Sequence, residues 1–313
     1  MDDLLDLMIC RIPGLKGEER IELEKKFDKE EDFSALSKRD IECAIGRTLK
    51  GRDWTMEQIR SMAEKDAAAA IKLGIRLVSW REKDYPPLLR EIFDPPALLF
   101  YRGALPNPEK PIVAVVGTRK PSSQAAAQAF SLSRELGEAG ISVVSGLALG
   151  IDAMAHRGNI EGRARTVAVL GSGLDYIYPV SNRPLARRIL ETGGGIVSEY
   201  PPGTKPLKGN FPARNRIISA LARGTVIVEA PEKSGALITA RCALEQGRDL
   251  WVHRAGVSSP RGEATARLAE DGAGLIDCAR DILMEWNLNP EQKNNVQGTG
   301  LASSLAEYLD IKL

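Results

Sequence analysis

Six apolar runs rich in β-branched residues punctuate the chain: Ile112–Val116, Ser142–Val144, Thr166–Leu170, Ile196–Ser198, Thr225–Glu229 and Leu250–Val252. They recur roughly every 25 to 30 residues, the length of one β-α-β unit. The runs are continuous rather than alternating, which implies strands covered on both faces. Helical stretches such as Gln124–Ala139 and Ala236–Gln246 lie between them. An α/β fold follows: an extended Rossmann-like open parallel sheet over residues 112–286, with helices on each side.

The flanks differ in rhythm. Residues 1–75 place apolar side chains three or four apart (Leu4, Leu7, Met8; Ile21, Leu23, Phe27), as in a small helical domain of SAM-like or helix-hairpin-helix type. Ile12-Pro13-Gly14-Leu15 resembles a hairpin turn whose amides could receive a phosphate. Glu18, Glu19, Glu22 and Glu24 would repel one, so a protein-interaction module is the better reading. Residues 76–111 hold seven prolines from Pro86 to Pro111 and read as a connector with short strands such as Ala97–Tyr101. Residues 287–313 read as a flexible tail with an amphipathic remnant at Leu301–Leu309.

Composition narrows the function classes. No run approaches the roughly 18 apolar residues of a membrane span, and the acidic Met1–Asp6 does not suit a signal peptide. Cys10, Cys43, Cys242 and Cys278 are scattered, and there are two histidines, so neither zinc nor a disulfide framework is expected. A cytoplasmic protein without metal or cofactor is the expectation. A net charge of +1 argues against bulk coating of nucleic acid, so any such contact must be local.

Local charge is where the chain departs from neutrality. Lys205–Arg223 contains Lys205, Lys208, Arg214, Arg216 and Arg223 and no acidic residue, with Asn210, Phe211 and Asn215 among them. Cations for phosphate, a ring for stacking and amides for base edges are what an unpaired strand needs; the alternative is a solvated loop. The strands also run into glycine-rich turns: Gly117-Thr118-Arg119, then Ser145–Asp152 with Gly146, Leu147, Ala148 and Gly150, then Gly171-Ser172-Gly173 and Ser234-Gly235. Such turns let amides approach an oxyanion at the carboxyl edge of a parallel sheet. Neither GxGxxG after the first strand nor GxxxxGK[ST] is present, which disfavours NAD or ATP.

Together these segments resemble the DNA-processing protein A (DprA/Smf) family. The matching segments are Gly117-Thr118-Arg119, SGLALGIDAMAHRG (Ser145–Gly158), GSGLDYIYP (Gly171–Pro179), SEYPPGT (Ser198–Thr204), GNFPARNRIISAL (Gly209–Leu221) and EAPEKSGALITARCALEQGR (Glu229–Arg248). The resemblance implies a single-stranded-DNA-binding recombination mediator, dimeric and without catalytic residues, that protects strands during natural transformation. It also implies loading of a RecA-type recombinase with displacement of single-strand-binding protein. Carried onto this chain, it makes Arg119, Lys208, Phe211 and the Gly146–Gly150 amides strand contacts. Three departures stand out: Val180 follows Tyr178-Pro179 where relatives often have a cation, Val252–Gly256 replaces a VPG-type turn, and Glu263-Ala264 alters the loop after Arg261.

Several residues admit two readings. Asp152 and His156, four apart, could form an acid–base pair, or they could cap and brace. Glu199 and Glu229 could be catalytic carboxylates, or they could anchor arginines, with Arg214 and Arg216 divided between Glu229 and solvent. Ser234 could hold a phosphate or simply cap the next helix. His253 reads as a loop residue, and Trp54, Trp80, Trp251 and Trp286 as core or interface. The competing function is a Rossmann-like nucleotide-processing enzyme of the nucleoside-monophosphate hydrolase type. The PGGxGT-x-x-E motif of such enzymes is absent from Glu229–Gly235.

Overall fold

A computed structural model describes residues 3–51 and 53–288 of the chain. Nine strands form one sheet: β1 (Arg76–Ser79), β2 (Leu98–Gly103), β3 (Ile112–Val116), β4 (Ser142–Ser145), β5 (Val167–Val169), β6 (Gly195–Ser198), β7 (Gly224–Ile227), β8 (Asp249–His253) and β9 (Gly274–Ile276). Their order is β1-β2-β6-β5-β4-β3-β7-β8-β9. All six apolar runs became strands. From β6 to β9 every pairing is parallel, with β3 beside both β4 and β7. The chain thus winds outward in both directions from β3, which makes the β3–β7 boundary a topological switch point.

The sheet is larger than the periodic runs imply. The proline-rich stretch supplies β1 and β2, which pair antiparallel, and β2 then pairs antiparallel with β6. Backbone groups on the outer side of β6 are satisfied in this way. Beyond β8, the short β9 extends the opposite edge.

Helices Ser123–Glu138 and Ile151–Glu161 follow β3 and β4, and bury Leu132, Leu136, Ile151 and Ala155 against Val113, Val115 and Val143. Trp251 and Trp286 join this core edge-to-face at 5.4 Å. Their indole N–H groups donate to Glu285 and Asp249, both at 2.7 Å. Helices Asn210–Ala220 and Ala236–Glu245 pack in a second cluster with Ile217, Ile218, Ile227 and Val252.

The N-terminal residues form five helices, the longest Met56–Lys72, capped by Thr55. Their buried Leu5, Ile9, Ile12 and Phe33 share one cluster with Leu98 and Phe100 of β2. Polar clasps reinforce the join. Arg81, just past β1, donates to Glu24 O and Asp6 Oδ1, each at 3.0 Å. Gly17 N–H donates to Asp94 Oδ1 at 3.2 Å. Of the expected 287–313 tail, Leu301–Leu309 lies outside the described residues.

Candidate nucleic-acid interface

At the carboxyl ends of β3 and β7 the sheet opens into a cleft of about 1070 Å3. One wall is the turn after β3. Glu229, buried at the end of β7, shapes that turn. Its Oε2 accepts from Ser122 N–H and its Oε1 from Ser122 Oγ, both at 2.8 Å, and Ser259 Oγ also donates to it. Its backbone oxygen accepts from Thr118 N–H at 2.8 Å. The loop between these anchors projects Arg119 and Lys120, both exposed, into the cleft. Glu229 therefore anchors serines rather than either arginine.

The floor is the loop after β4. Gly150 adopts φ +78°, and a Cβ there would overlap the Thr118 carbonyl, so the loop can close on its neighbour only with glycine. Asp152 Oδ2 accepts from the N–H groups of Gly146 (3.1 Å) and Ala148 (3.4 Å). Two amides expected to meet phosphate are thus already bonded to a protein carboxylate. Asp152 is buried, and burial pushes its pKa up while the Arg214 guanidinium pulls it down.

The opposite wall is the helix Asn210–Ala220, inside the basic Lys205–Arg223 segment. Helical phase sets the roles here. Phe211, Arg214, Asn215 and Ile218, at i, i+3, i+4 and i+7, face the cleft. Arg216 faces away, donating to Glu199 Oε1 at 2.9 Å, Glu199 Oε2 at 2.7 Å and Asp94 Oδ2 at 3.1 Å. Those carboxylates hold its pKa above the usual guanidinium value despite the burial that lowers it. Arg214 is only 4% exposed. Its Nη1 donates to Gly146 O at 2.9 Å and also to Val169 O. Burial pulls its pKa down to about 10. Neither arginine faces Glu229 or open solvent.

Phe211 stands half-buried with Tyr178 at 5.6 Å between ring centroids, and the Arg119 guanidinium lies 5.8 Å from its ring. Lys208 is exposed on the same rim. Asn215 Nδ2 donates to Gly235 O at 3.2 Å, tying this wall to the turn at Ser234-Gly235. Ser234 Oγ accepts from Ala236 N–H at 3.2 Å, which makes it a local cap beside the cleft.

Of the thirteen residues proposed from sequence, Arg119, Ala148, Lys208, Phe211, Arg214, Asn215, Ser234 and Gly235 line the cleft. Gly146 lines a recess of about 50 Å3 beside it. Leu147 buries its side chain beneath the loop, and Gly150 acts through the turn. Asn210 lies with its backbone against Gly171, and Arg216 belongs to the part-buried ion pair with Glu199. Sequence reasoning missed Lys120, Tyr178 and Lys233 as site residues, although Lys120 abuts, and Tyr178 and Lys233 lie within, segments it had singled out. Arg261 and Glu263, noted only as a departure, sit on the rim. Among the described residues, Arg119, Lys120, Lys208, Lys233 and Arg261 have no carboxylate within the 4.0 Å of an ion pair.

The other titratable candidates are structural. His156 is fully buried, and its Nδ1 lies 2.7 Å from Thr166 Oγ1. Thr166 gives its own proton to Val143 O at 2.8 Å, so Nδ1 carries the hydrogen. Burial pushes the His156 pKa down to about 3. His253 is buried rather than in a loop, and its Nδ1 accepts from Ala255 N–H at 3.1 Å.

Comparison with known proteins agrees with this architecture. A family profile described as DNA recombination-mediator protein A matches residues 76–287. Protein Smf of Synechocystis sp. is 46% identical over 67% of this chain, which spans about half (53%) of that relative's length. DNA processing protein A of Streptococcus pneumoniae has a solved structure with TM-score 0.75 and 34% identity, covering 91% of this chain and 98% of that one. DNA processing protein A of Helicobacter pylori, whose structure was determined for its single-stranded DNA binding mode, gives TM-score 0.61 and 30% identity over 68% of this chain and 95% of that one. With a family profile matched across the sheet and its cleft, this chain belongs to the DNA recombination-mediator protein A (DprA/Smf) family.

Proposed function

We propose that the chain binds single-stranded DNA in the switch-point cleft, without catalysis, as a cytoplasmic recombination mediator. In that role it shields strands and passes them to a RecA-type recombinase, acts as a homodimer and displaces single-strand-binding protein. The observation that carries the reading is the cleft rim. Five cations without carboxylate partners among the described residues line the same cleft as the Phe211–Tyr178 ring pair. Phosphates meet the cations, and a base stacks on Phe211 for about 1–3 kcal/mol. The position of the glutamates supports a binding rather than a hydrolytic role, since Glu199 is held by Arg216 and Glu229 by Ser122.

The test compares single- and double-stranded oligonucleotides by fluorescence anisotropy, with Arg119→Ala and Lys208→Ala beside the wild type. Tighter single-strand binding is expected, together with a salt slope of about −3 to −4 if all five cations meet phosphates. Each variant should lose roughly three- to tenfold in affinity with an unchanged melting temperature. Unchanged affinity in both variants would remove the strand from this cleft.

A further inference from the structure

The helix Arg183–Glu191 begins at the edge of the cleft and carries cations that the cleft does not use. Leu185, Ala186 and Ile189 fill its buried side. Arg183 and Arg187, one turn apart, lie on the exposed side, with Arg188 beside them. Arg188 meets Glu191 at 3.9 Å; among the described residues no carboxylate pairs with Arg183 or Arg187. Arg183 and Arg187 are separated by a rise of about 6 Å along the axis.

This row is fixed relative to the cleft. Asn182 Nδ2, next to the helix, donates to Leu147 O at 2.9 Å and Ala148 O at 3.1 Å. These bonds tie the floor loop to the start of the helix. From the ring pair toward the arginines runs a partly exposed apolar step that begins at Tyr178 itself. Leu149 is 46% exposed, Tyr178 47% and Val180 61%. Leu149, Tyr178 and Pro179 also line the small recess that joins this step to Arg119 and Phe211. Rings and apolar side chains followed by unneutralised guanidinium groups repeat outside the cleft the chemistry found within it.

We propose that a single strand leaving the cleft crosses Tyr178 and Val180 and lays its following phosphates along Arg183 and Arg187. This is a second binding segment for the same ligand, and it rests on the cleft itself binding single-stranded DNA. The continuous path and its charge sign favour a polynucleotide over an acidic protein segment, which would have no use for the connection to the ring pair.

The experiment measures the binding of thymidine oligonucleotides of about 6 and about 20 nucleotides, across a salt series, to the full chain. The double variants Arg183→Glu/Arg187→Glu and Arg183→Gln/Arg187→Gln are compared with the wild type. The short strand should bind both variants within about twofold of wild type, and the long strand about tenfold more weakly to the Glu variant, with a smaller loss for Gln. For the long strand the salt slope should become shallower by about 1.4, two phosphate contacts' worth. Unchanged long-strand affinity would overturn the proposal and leave the row to an acidic protein partner. Equal weakening at both lengths would also overturn it, since the change would then act on the cleft or the fold. Failure of the wild type to bind either strand would instead sink the cleft reading beneath it.

Discussion

Arg214 shows how position divides residues of one type. Arg119 and Lys208 are exposed and, among the described residues, without a carboxylate partner, whereas Arg214 is buried with its guanidinium spent on the Gly146 and Val169 carbonyls. A Cβ on Gly146 would fall 2.6 Å from Arg214 Nη2, so the floor loop is moulded around that head group. Arg214→Met should therefore lose strand binding together with about 2–4 kcal/mol of stability, by urea unfolding, because two buried carbonyls lose their donor. A variant that stays stable yet loses binding would make Arg214 a direct contact instead. Residue type was readable in the sequence at every one of these positions, but burial was not. Whether a guanidinium is offered or withheld depends on which carbonyls the fold brings to it, and those come from β5 and the β4 turn, 45 and 68 residues away.

Among the elements, the six central strands were legible because each is buried on both faces and so reads as an unbroken apolar run. β9 escaped notice because it is three residues long with Leu275 exposed. The helix Asn210–Ala220 was obscured by Pro212, which sits in its first turn where no helical N–H bond is lost. Recognising that helix changes the role of Arg216, whose side chain and that of Glu199 are 18% and 15% exposed. Arg216→Ala should destabilise by about 1–3 kcal/mol, because Glu199, largely shielded from water, would be left without its partner. Adding Glu199→Gln should restore part of the loss, and thermal melts of the single and double variants would measure it. No recovery would mean that the pairing to Asp94 dominates.

At the scale of the whole molecule, two buried groups oppose each other across pH. Glu24 is 1% exposed, its carboxylate oxygens have no hydrogen-bond partner among the described residues, and burial with Asp6 and Glu82 nearby pushes its pKa up from 4.5 to about 8, against Arg81. Between those values only the unfolded chain gives up the proton, so this contribution to stability is whole below pH 4.5 and fades as pH rises toward about 8. His156 runs the other way. Its pKa falls from 6.5 to about 3, so its contribution is whole above pH 6.5 and fades as acid protonates the unfolded chain first. Glu24→Gln should raise the melting temperature by several degrees at pH 8 and by little at pH 4.5. An equal gain at both pH values would show that Glu24 does not titrate as its burial implies. The clasp around Glu24 joins the N-terminal helices to β1, so that junction is where alkali should first loosen the molecule. The loop after β4, by contrast, arrives with its own counterion: Asp152 already neutralises the amide dipoles that face inward. A strand phosphate would reach those amides only by displacing Asp152, which itself lines the cleft. Capture then depends on the surrounding side chains alone, so encounter should be fast in dilute buffer and should slow steadily as electrolyte is added.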